Sequence, residues 1–140
     1  MLRLTPNFTL IEFVPKEVYD KFGDSSIWFF DPRLPKIAQF IHDRYNTPII
    51  INGVYNGQVY NYSCLRTPDS NEFKPLSQHT GGKAIDVKGV NSKVLRQDII
   101  DNFTTIWKPL GITTIEKNTS TWTHIDLRYT GLDTLLQVEG

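Results

Sequence analysis

The chain has 140 residues, of which 39% are hydrophobic and 12% aromatic, enough for one domain with a buried core. Its 15 basic and 15 acidic residues cancel, and no basic block or basic amphipathic run is present. This composition does not favour binding to nucleic acid or to a membrane surface. No apolar run approaches the roughly 18 residues of a membrane-spanning helix, so membrane insertion is not expected. We expect one domain over residues 1–140, and a monomer.

The N-terminal segment and the single cysteine bear on the compartment in which the protein works. Residues 1–8 lack a sustained apolar stretch and a small-residue cleavage site, so they do not resemble a secretory signal peptide. We expect the chain to be synthesised in the cytoplasm and to stay there until another factor releases it. Cys64 is the one cysteine, so no internal disulfide can form, and we interpret it as a half-buried structural thiol.

Helices are predicted from start signals and apolar spacing. Thr9 and Glu12 have the spacing of a capping box, and a short helix is expected over residues 15–22, before a glycine. An Asp-Pro start signal and helical apolar spacing predict a second helix over residues 31–45. His42 lies within it and is interpreted as a surface residue, not a metal ligand.

Strands are predicted mainly in the second half of the chain. Residues 48–52 and 84–88 are strand candidates, and residues 112–117 and 121–127 are expected to form a β-hairpin. Asn91 follows the strand candidate over residues 84–88 and should cap a third helix, which precedes the hairpin. Its expected apolar stripe is Val94, Leu95, Ile99, Ile100 and Phe103.

The order of these elements favours an α+β fold, with one small, largely antiparallel sheet and helices packed on one face. Residues 53–76 are rich in Gly, Asn, Tyr and Ser and are expected to form a long irregular loop, a type of segment that is often functional. The tail after Tyr129 carries little signal.

Two short segments contain the residues that suggest chemistry. Residues 77–86 contain His79 and Asp86, and residues 122–126 contain His124. Two imidazoles and a carboxylate can hold zinc while a fourth position stays open for water. Strand alternation allows Asp86 and His124 to face one cleft while neighbouring isoleucines enter the core. The sequence thus predicts a Zn²⁺ site, although each residue taken singly has an ordinary structural interpretation.

A hydrolytic zinc site also needs a group that takes a proton from the attacking water, and Glu116 is the candidate. With a three-residue hairpin loop, Lys117 would pair with Thr121 and Glu116 with Trp122. Glu116 would then lie on the His124 face of the sheet, diagonal to that imidazole. A register shift of one residue would move Glu116 to the opposite face, where it would be a surface carboxylate.

Other residues are candidates for the surroundings of the site. Asp126, two residues beyond the second histidine, could hold an imidazole N–H, or it could be a structural partner of Arg128. Arg66 could bind a substrate carboxylate or a developing oxyanion, or it could be a solvated loop arginine. Trp122 and Ser77 are expected to shape the pocket.

Two motifs carry a resemblance to a known family: S-x-H-x-x-G-x-A-x-D at residues 77–86 and W-x-H at residues 122–124. They resemble the zinc D-Ala-D-Ala carboxypeptidases and peptidoglycan endopeptidases, which share their fold with the Hedgehog signalling domain. The resemblance covers residues 66–128. The leading F-T-x-x-E-F at residues 8–13 also resembles the carboxypeptidase-like branch found in phages and prophages.

This resemblance implies a Hedgehog/DD-peptidase-like fold, the same three zinc ligands, and a substrate-anchoring role for Arg66. It implies hydrolysis of a peptide bond in peptidoglycan stem peptides, by a carboxypeptidase or by an endolysin-like endopeptidase. Many members carry the catalytic acid/base three residues before the last histidine ligand, where this chain has Thr121. Glu116, from the neighbouring strand, would then have to serve in its place.

Two alternatives to an enzyme remain. Thr121 favours a zinc-stabilised cell-wall-binding or virion structural module without turnover, and a metal-free virion protein is the other alternative. Because peptidoglycan lies outside the membrane and no signal peptide is predicted, the protein is expected to reach the wall after release. A phage lysin freed by a holin, or a component of the virion, would satisfy this requirement.

Overall fold

The computed structural model describes residues 2–140, and the predicted α+β class is confirmed. The α-helices are α1 (Lys16–Phe22), α2 (Arg33–Tyr45) and α3 (Ser92–Asp101). 3-10 and π segments occur at Leu10–Glu12, Gly23–Phe29, Val54–Asn56, Phe103–Trp107 and Lys108–Leu110. The strands are β1 (Ala84–Val87), β2 (Thr114–Glu116), β3 (Thr123–Asp126) and β4 (Leu136–Val138). In the described part of the chain, no helix has the length and apolarity needed to cross a membrane.

The helix boundaries follow the predicted start and stop signals. Gly23 ends α1 with a φ of 57°, a left-handed backbone value that suits glycine. The Asp31 carboxylate accepts a hydrogen bond from the N–H of Arg33 at the start of α2. The side chain of Asn91 accepts one from the N–H of Val94 and caps α3, as expected.

The sheet has the order β1-β3-β2-β4 and is mixed. Strand β3 pairs antiparallel with β1 on one side and with β2 on the other. Strand β4, which was not predicted, adds a parallel edge to β2. The expected antiparallel pairing is therefore correct for β1, β2 and β3. It did not include the parallel edge strand β4.

One face of the sheet belongs to the hydrophobic core. Ile85 and Ile115 both pair with Ile125, and all three side chains are fully buried. Helix α2 contacts β1 and α3 contacts β3 on this face. The helices contribute Leu34, Ile37, Ile41, Leu95 and Ile99 to the same core. Since side chains alternate along a strand, the opposite face presents the polar residues of β1 and β3.

The apolar stripe of α3 is narrower than predicted. Leu95, Ile99 and Phe103 are buried, whereas Val94 is 53% exposed and Ile100 is 37% exposed. Leu95 and Ile99 are four residues apart and share one side of α3, whereas Phe103 follows the helix in the π turn Phe103–Trp107. Val94 and Ile100 lie on the flanks of α3 and meet solvent.

The strand predicted over residues 48–52 does not form. Only Ile50 pairs, through an isolated bridge to Lys88 that extends the edge of β1. The ladder stops there because the N–H of Asn52 donates to the carbonyl of Glu12, in the capping-box turn, instead of to a neighbouring strand. The segment is thus extended and partly buried without becoming a fifth strand.

The loop over residues 53–76 is irregular apart from one 3-10 turn, as predicted, but it is tied to the rest of the fold. Tyr62 hydrogen-bonds the Glu17 carboxylate on α1, and the side chain of Asn52 accepts from the N–H of Ser63 at 2.8 Å. These contacts draw Cys64 into the core, where it is fully buried instead of half-buried. Burial raises the pKa of the thiol far above its usual value, which agrees with a structural role.

Candidate metal centre and cleft

The three predicted metal ligands meet on the polar face of the sheet. Ligand atoms of His79, Asp86 and His124 all lie within 4.8 Å of one another. Asp86 on β1 stands directly opposite His124 on β3. Oδ1 of Asp86 is 3.1 Å from Nδ1 of His124 and 3.2 Å from Nε2 of His79. This cluster could hold a metal ion.

A tight turn before β1 brings His79 to the two strand residues. Gly82 has a φ of +67°, and a Cβ at this position would lie 2.2 Å from the carbonyl oxygen of Phe29. Only glycine therefore allows the turn to pack against the backbone at residue 29. Gly81, by contrast, has an ordinary backbone conformation, and its nearest neighbour would be 3.8 Å from an added Cβ.

Each histidine has one ring nitrogen held by an acceptor outside the cluster. Nδ1 of His79 is 2.9 Å from the carbonyl oxygen of Cys64, so this nitrogen is the donor. Nε2 of His124 is 2.8 Å from the Asp126 carboxylate. In neutral imidazole the other nitrogen carries a lone pair, and in both residues it faces Asp86. Holding the outer N–H in this way orients a metal-binding imidazole.

Asp126 has both of the partners considered for it. Its carboxylate is fully buried and accepts hydrogen bonds from His124 and from Arg128, whose Nε is 2.8 Å away. Burial raises the pKa of Asp126, but the hydrogen bonds from Arg128 and His124 lower it more, so the group stays ionised. The two interpretations of Asp126 are thus compatible.

Without metal, the cluster carries a positive charge between two carboxylates. Burial lowers the pKa of His124, but hydrogen bonds to Asp126 and Asp86 outweigh it and raise the pKa to about 9. Burial raises the pKa of Asp86, but His124 and His79 hold it well below its usual value. The proton on Nδ1 of His124 is therefore directed at the Asp86 carboxylate.

Glu116 lies on the cleft side of the sheet, although the hairpin register differs from the prediction. Ile115 pairs with Ile125, so the ladder leads Glu116 to a position opposite His124, not opposite Trp122. The difference is two residues, and because side chains alternate with a period of two, Glu116 keeps the expected face. Oε1 of Glu116 is 3.8 Å from Nδ1 of His124.

The hairpin loop is longer than three residues because other elements hold its ends. The N–H of Lys117 donates to the carbonyl of Val138 on β4, so it does not extend the β2–β3 ladder. Thr119 is buried, and its carbonyl accepts a hydrogen bond from Arg96 on α3. The loop is thereby drawn toward α3. As a result, the register of the β2–β3 pairing is shifted by two residues from the predicted one.

Arg66 borders the metal cluster and is not a solvated arginine. Its side chain is 13% exposed, and Nη2 is 3.8 Å from the Asp86 carboxylate. Nη2 also donates to the carbonyl of Tyr62 at 3.3 Å, and the backbone N–H of Arg66 donates to the carbonyl of His79. Within residues 2–140, its buried Nε has no hydrogen-bond partner. Arg66 is therefore held beside the cluster with one buried donor left unsatisfied by the described residues.

Two neighbouring pockets that share wall residues form the two halves of a cleft at the cluster. Arg66, Asp86 and Trp122 line both halves, and Trp122, just before β3, is 36% exposed. The larger half has a volume of about 710 Å³, and its walls include Ser77, His79, Glu116, His124 and Arg128. The smaller half, of about 470 Å³, includes Tyr60, Ser63, Lys88 and Thr121. Ser77 also accepts a hydrogen bond from the N–H of His79 and so supports the ligand turn.

Lys88 is a site residue that the sequence analysis missed. It is 9% exposed, and its Nζ is 2.7 Å from Oγ of Ser63 and 3.0 Å from the carbonyl oxygen of Asp86. Burial lowers its pKa to about 8, and the charge of Asp86 partly offsets this effect. Strand parity could have found it, because Lys88 follows Asp86 by two residues and so faces the same side.

His42, the remaining histidine, and Thr121 are not members of the cluster. His42 on α2 contacts Asp43 at 3.0 Å and is outside the cluster, as the sequence analysis expected. Thr121 is exposed in the hairpin loop and lines the smaller half of the cleft.

Comparisons of the chain with protein-family models, with curated proteins and with solved structures found no match. The resemblance to zinc peptidases therefore depends on the residues of the two motifs and on their meeting at one site.

Proposed function

We propose that this protein is a zinc metallopeptidase of the Hedgehog/DD-peptidase type, which hydrolyses peptide bonds in peptidoglycan stem peptides. The observation that supports this most is the cluster itself: ligand atoms of His79, Asp86 and His124 lie within 4.8 Å of one another at the floor of a cleft. Glu116 stands beside them on the cleft side. The bond cleaved is either the terminal one, as in a D-Ala-D-Ala carboxypeptidase, or an internal one, as in an endopeptidase.

The donor set suits zinc. Nε2 of His79, Nδ1 of His124 and the carboxylate of Asp86 would hold the ion, a mixture of nitrogen and oxygen ligands that zinc accepts. Both imidazoles are oriented by acceptors on their outer nitrogens, as in established zinc sites. When bound, zinc supplies Lewis-acid polarisation of the scissile carbonyl and makes the attacking water more acidic.

The protein side chains perform the proton transfers and the positioning. Glu116 accepts the proton of the attacking water and then delivers it to the leaving amine, as a general base and acid. Arg66 steadies the developing oxyanion or a substrate carboxylate from the side of Asp86. Asp126 keeps the imidazole of His124 in the orientation that the site requires.

A second candidate function is a zinc-stabilised cell-wall-binding or virion structural module without turnover. The observation in its favour is Thr121, which is exposed in the hairpin loop where many related peptidases carry their catalytic acid. In that case the metal would contribute stability and the cleft would only bind peptide.

We further propose that the protein acts on the cell wall after release from the cell that makes it, as an endolysin or as part of a phage particle. Its partner is the stem peptide, whose length and polar character suit an open cleft lined by charged side chains.

The decisive experiment combines metal analysis with turnover. The purified protein should contain about one zinc per chain and should release free amine from a stem-peptide panel. Glu116→Gln should retain zinc but lose turnover by about 10²–10⁴-fold, the usual contribution of a general acid–base group. Asp24→Asn, which removes an exposed carboxylate outside the cleft, is the control and should behave like wild type.

Two results would overturn the proposal. Full zinc occupancy without turnover on any stem peptide would favour the binding module. Absence of stoichiometric zinc after growth in zinc-supplemented medium would favour a metal-free protein.

A further inference from the structure

The smaller half of the cleft contains a buried ammonium group with unusual surroundings. Nζ of Lys88 contacts Oγ of Ser63, the carbonyl oxygen of Asp86 and the ring of Tyr60, whose centroid is 4.4 Å away. These partners are all uncharged. Buried charges are normally paired with an opposite charge, so Lys88 is an exception that calls for an explanation.

Lys88 follows Asp86 by two residues, and its Nζ is 3.0 Å from the carbonyl oxygen of Asp86, so the nearby Asp86 carboxylate attracts the ammonium group. In the proposed enzyme, however, Asp86 is a metal ligand, and a divalent cation would take most of that attraction. Lys88 would then be a buried cation beside another cation. An anion that enters the smaller half of the cleft would restore the balance of charge.

Arg66 adds a second set of donors to the same half of the cleft. Its guanidinium is mostly buried, and its Nε has no hydrogen-bond partner among the described residues. Glu72 approaches Nη2 at 3.9 Å, but the Glu72 side chain is 81% exposed, so it can move into solvent when another anion arrives. Trp122 and Tyr60 provide aromatic surface beside these donors.

We propose that Lys88 and Arg66 form a carboxylate-binding subsite, and that Lys88 selects substrates with a carboxylate in the smaller half of the cleft. This inference rests on the proposed peptidase function and deepens it by specifying the substrate. The carboxylate can be the free C-terminus of the peptide, as for a carboxypeptidase. It can also be an acidic group within the peptide, as for an endopeptidase.

The test is calorimetric binding to the zinc-loaded Glu116→Gln protein, in which hydrolysis is suppressed. One peptide pair is an N-acetylated tripeptide ending in D-Ala-D-Ala, as the free acid and as the C-terminal amide. The other is a C-terminally amidated tetrapeptide containing γ-linked D-Glu, with the α-carboxylate of that residue free or amidated. We expect one acid to bind about tenfold to hundredfold more tightly than its amide, as for charge-assisted hydrogen bonds. The peptide pair in which the acid binds more tightly than its amide identifies the source of the carboxylate.

Variants at residue 88 then assign the discrimination to Lys88. In the same background, Lys88→Met should remove most of the preference for the acid, whereas Lys88→Arg should retain part of it. Lys36→Met removes an exposed lysine of α2 and should leave the preference unchanged. Thermal unfolding checks that each variant is folded, and if Lys88→Met is not, the acid–amide comparison with Lys88 intact still tests the subsite.

Equal binding of acid and amide in both pairs would overturn the subsite, whatever the turnover of the wild type. An acid preference that survives in folded Lys88→Met would also overturn the assignment to Lys88. If the preference depends on Lys88 but the wild type hydrolyses nothing, the peptidase function fails and the carboxylate subsite stands.

Discussion

Asp86 and His124 face each other directly across the β1–β3 ladder, with Oδ1 of Asp86 3.1 Å from Nδ1 of His124. The sheet backbone, not a flexible loop, therefore sets the separation of two of the three candidate ligands. The third, His79, reaches them from a turn that is held by its own backbone contacts. Such a site can bind a metal ion with little rearrangement.

Asp86→Asn should bind zinc at least about 100-fold more weakly than wild type, because it loses the one anionic ligand. This exceeds the 10–100-fold effect typical of residues that only support a ligand. Competition with a chromophoric chelator measures the affinity. Asp133→Asn, which alters an exposed carboxylate near Lys108, is the matched control. Equal affinities of wild type and Asp86→Asn would exclude Asp86 as a ligand.

Asp126→Ala should lower zinc affinity about 10–100-fold, because His124 loses the acceptor that orients it. It should also destabilise the fold, since Arg128 and His124 both lose a buried partner. Asp126→Asn keeps one acceptor oxygen and should have a smaller effect on both measurements. The chelator assay and urea denaturation provide the two readouts. A stability loss with unchanged zinc affinity would show that Asp126 serves Arg128 alone.

The contribution of His124 to the stability of the metal-free protein should be lost as pH rises from 6.5 through about 9. The pKa of His124 is raised to about 9 in the folded state, above its ordinary value of 6.5. Because the folded state binds this proton more tightly than the unfolded state, protonated His124 contributes its full stabilisation below pH 6.5. The contribution disappears as pH rises through 9. Thermal unfolding in the presence of a chelator, from pH 6 to pH 10, measures the effect.

The control for this prediction is His124→Gln, which cannot bind the proton. Lys88 has the opposite effect on stability. Burial lowers its pKa from 10.5 to about 8, so the destabilisation caused by its buried charge is relieved as pH rises above 8. The difference between wild type and His124→Gln removes that contribution. A difference that does not fall between pH 6.5 and 9 would contradict an imidazolium between Asp86 and Asp126.

Gly82→Ala should destabilise the protein and weaken zinc binding, because the added Cβ would lie 2.2 Å from the carbonyl oxygen of Phe29. The left-handed φ of +67° contributes about 1–3 kcal/mol of backbone strain, before any cost of moving the turn. Gly81→Ala is the neighbouring control, with 3.8 Å to its nearest atom, and should change little. Urea denaturation with and without zinc compares the two variants. Equal stability of both would mean that the turn is not constrained by this contact.

Several features of the site were predictable because they depend on local periodicity. Strand alternation places Asp86 and Ile85 on opposite faces of their strand, and likewise His124 and Ile125. Burial of the two isoleucines then turns both polar residues to the same side of the sheet. The same rule explains why Glu116 lies on the cleft side despite a wrong register. A shift of two residues changes its partner from Trp122 to His124 but does not change its face.

Other features depend on contacts between distant parts of the chain and were missed. Strand β4 forms because the C-terminal tail pairs with β2, although the tail carries little pattern of its own. The segment over residues 48–52 has strand composition, but the N–H of Asn52 bonds a 3-10 turn, and the ladder ends. Burial of Lys88 and Arg66 likewise depends on how the loop over residues 53–76 packs.

The sequence by itself determined which side chains supply the candidate metal site and which face of each strand they occupy, because residue identity and a two-residue repeat are local properties. Only the tertiary structure decided that Glu116 stands opposite His124, that Arg66 reaches Asp86, and that Lys88 is buried against Ser63. Those relationships arise from hydrogen bonds and packing between segments far apart in the chain, and local patterns carry no information about such contacts.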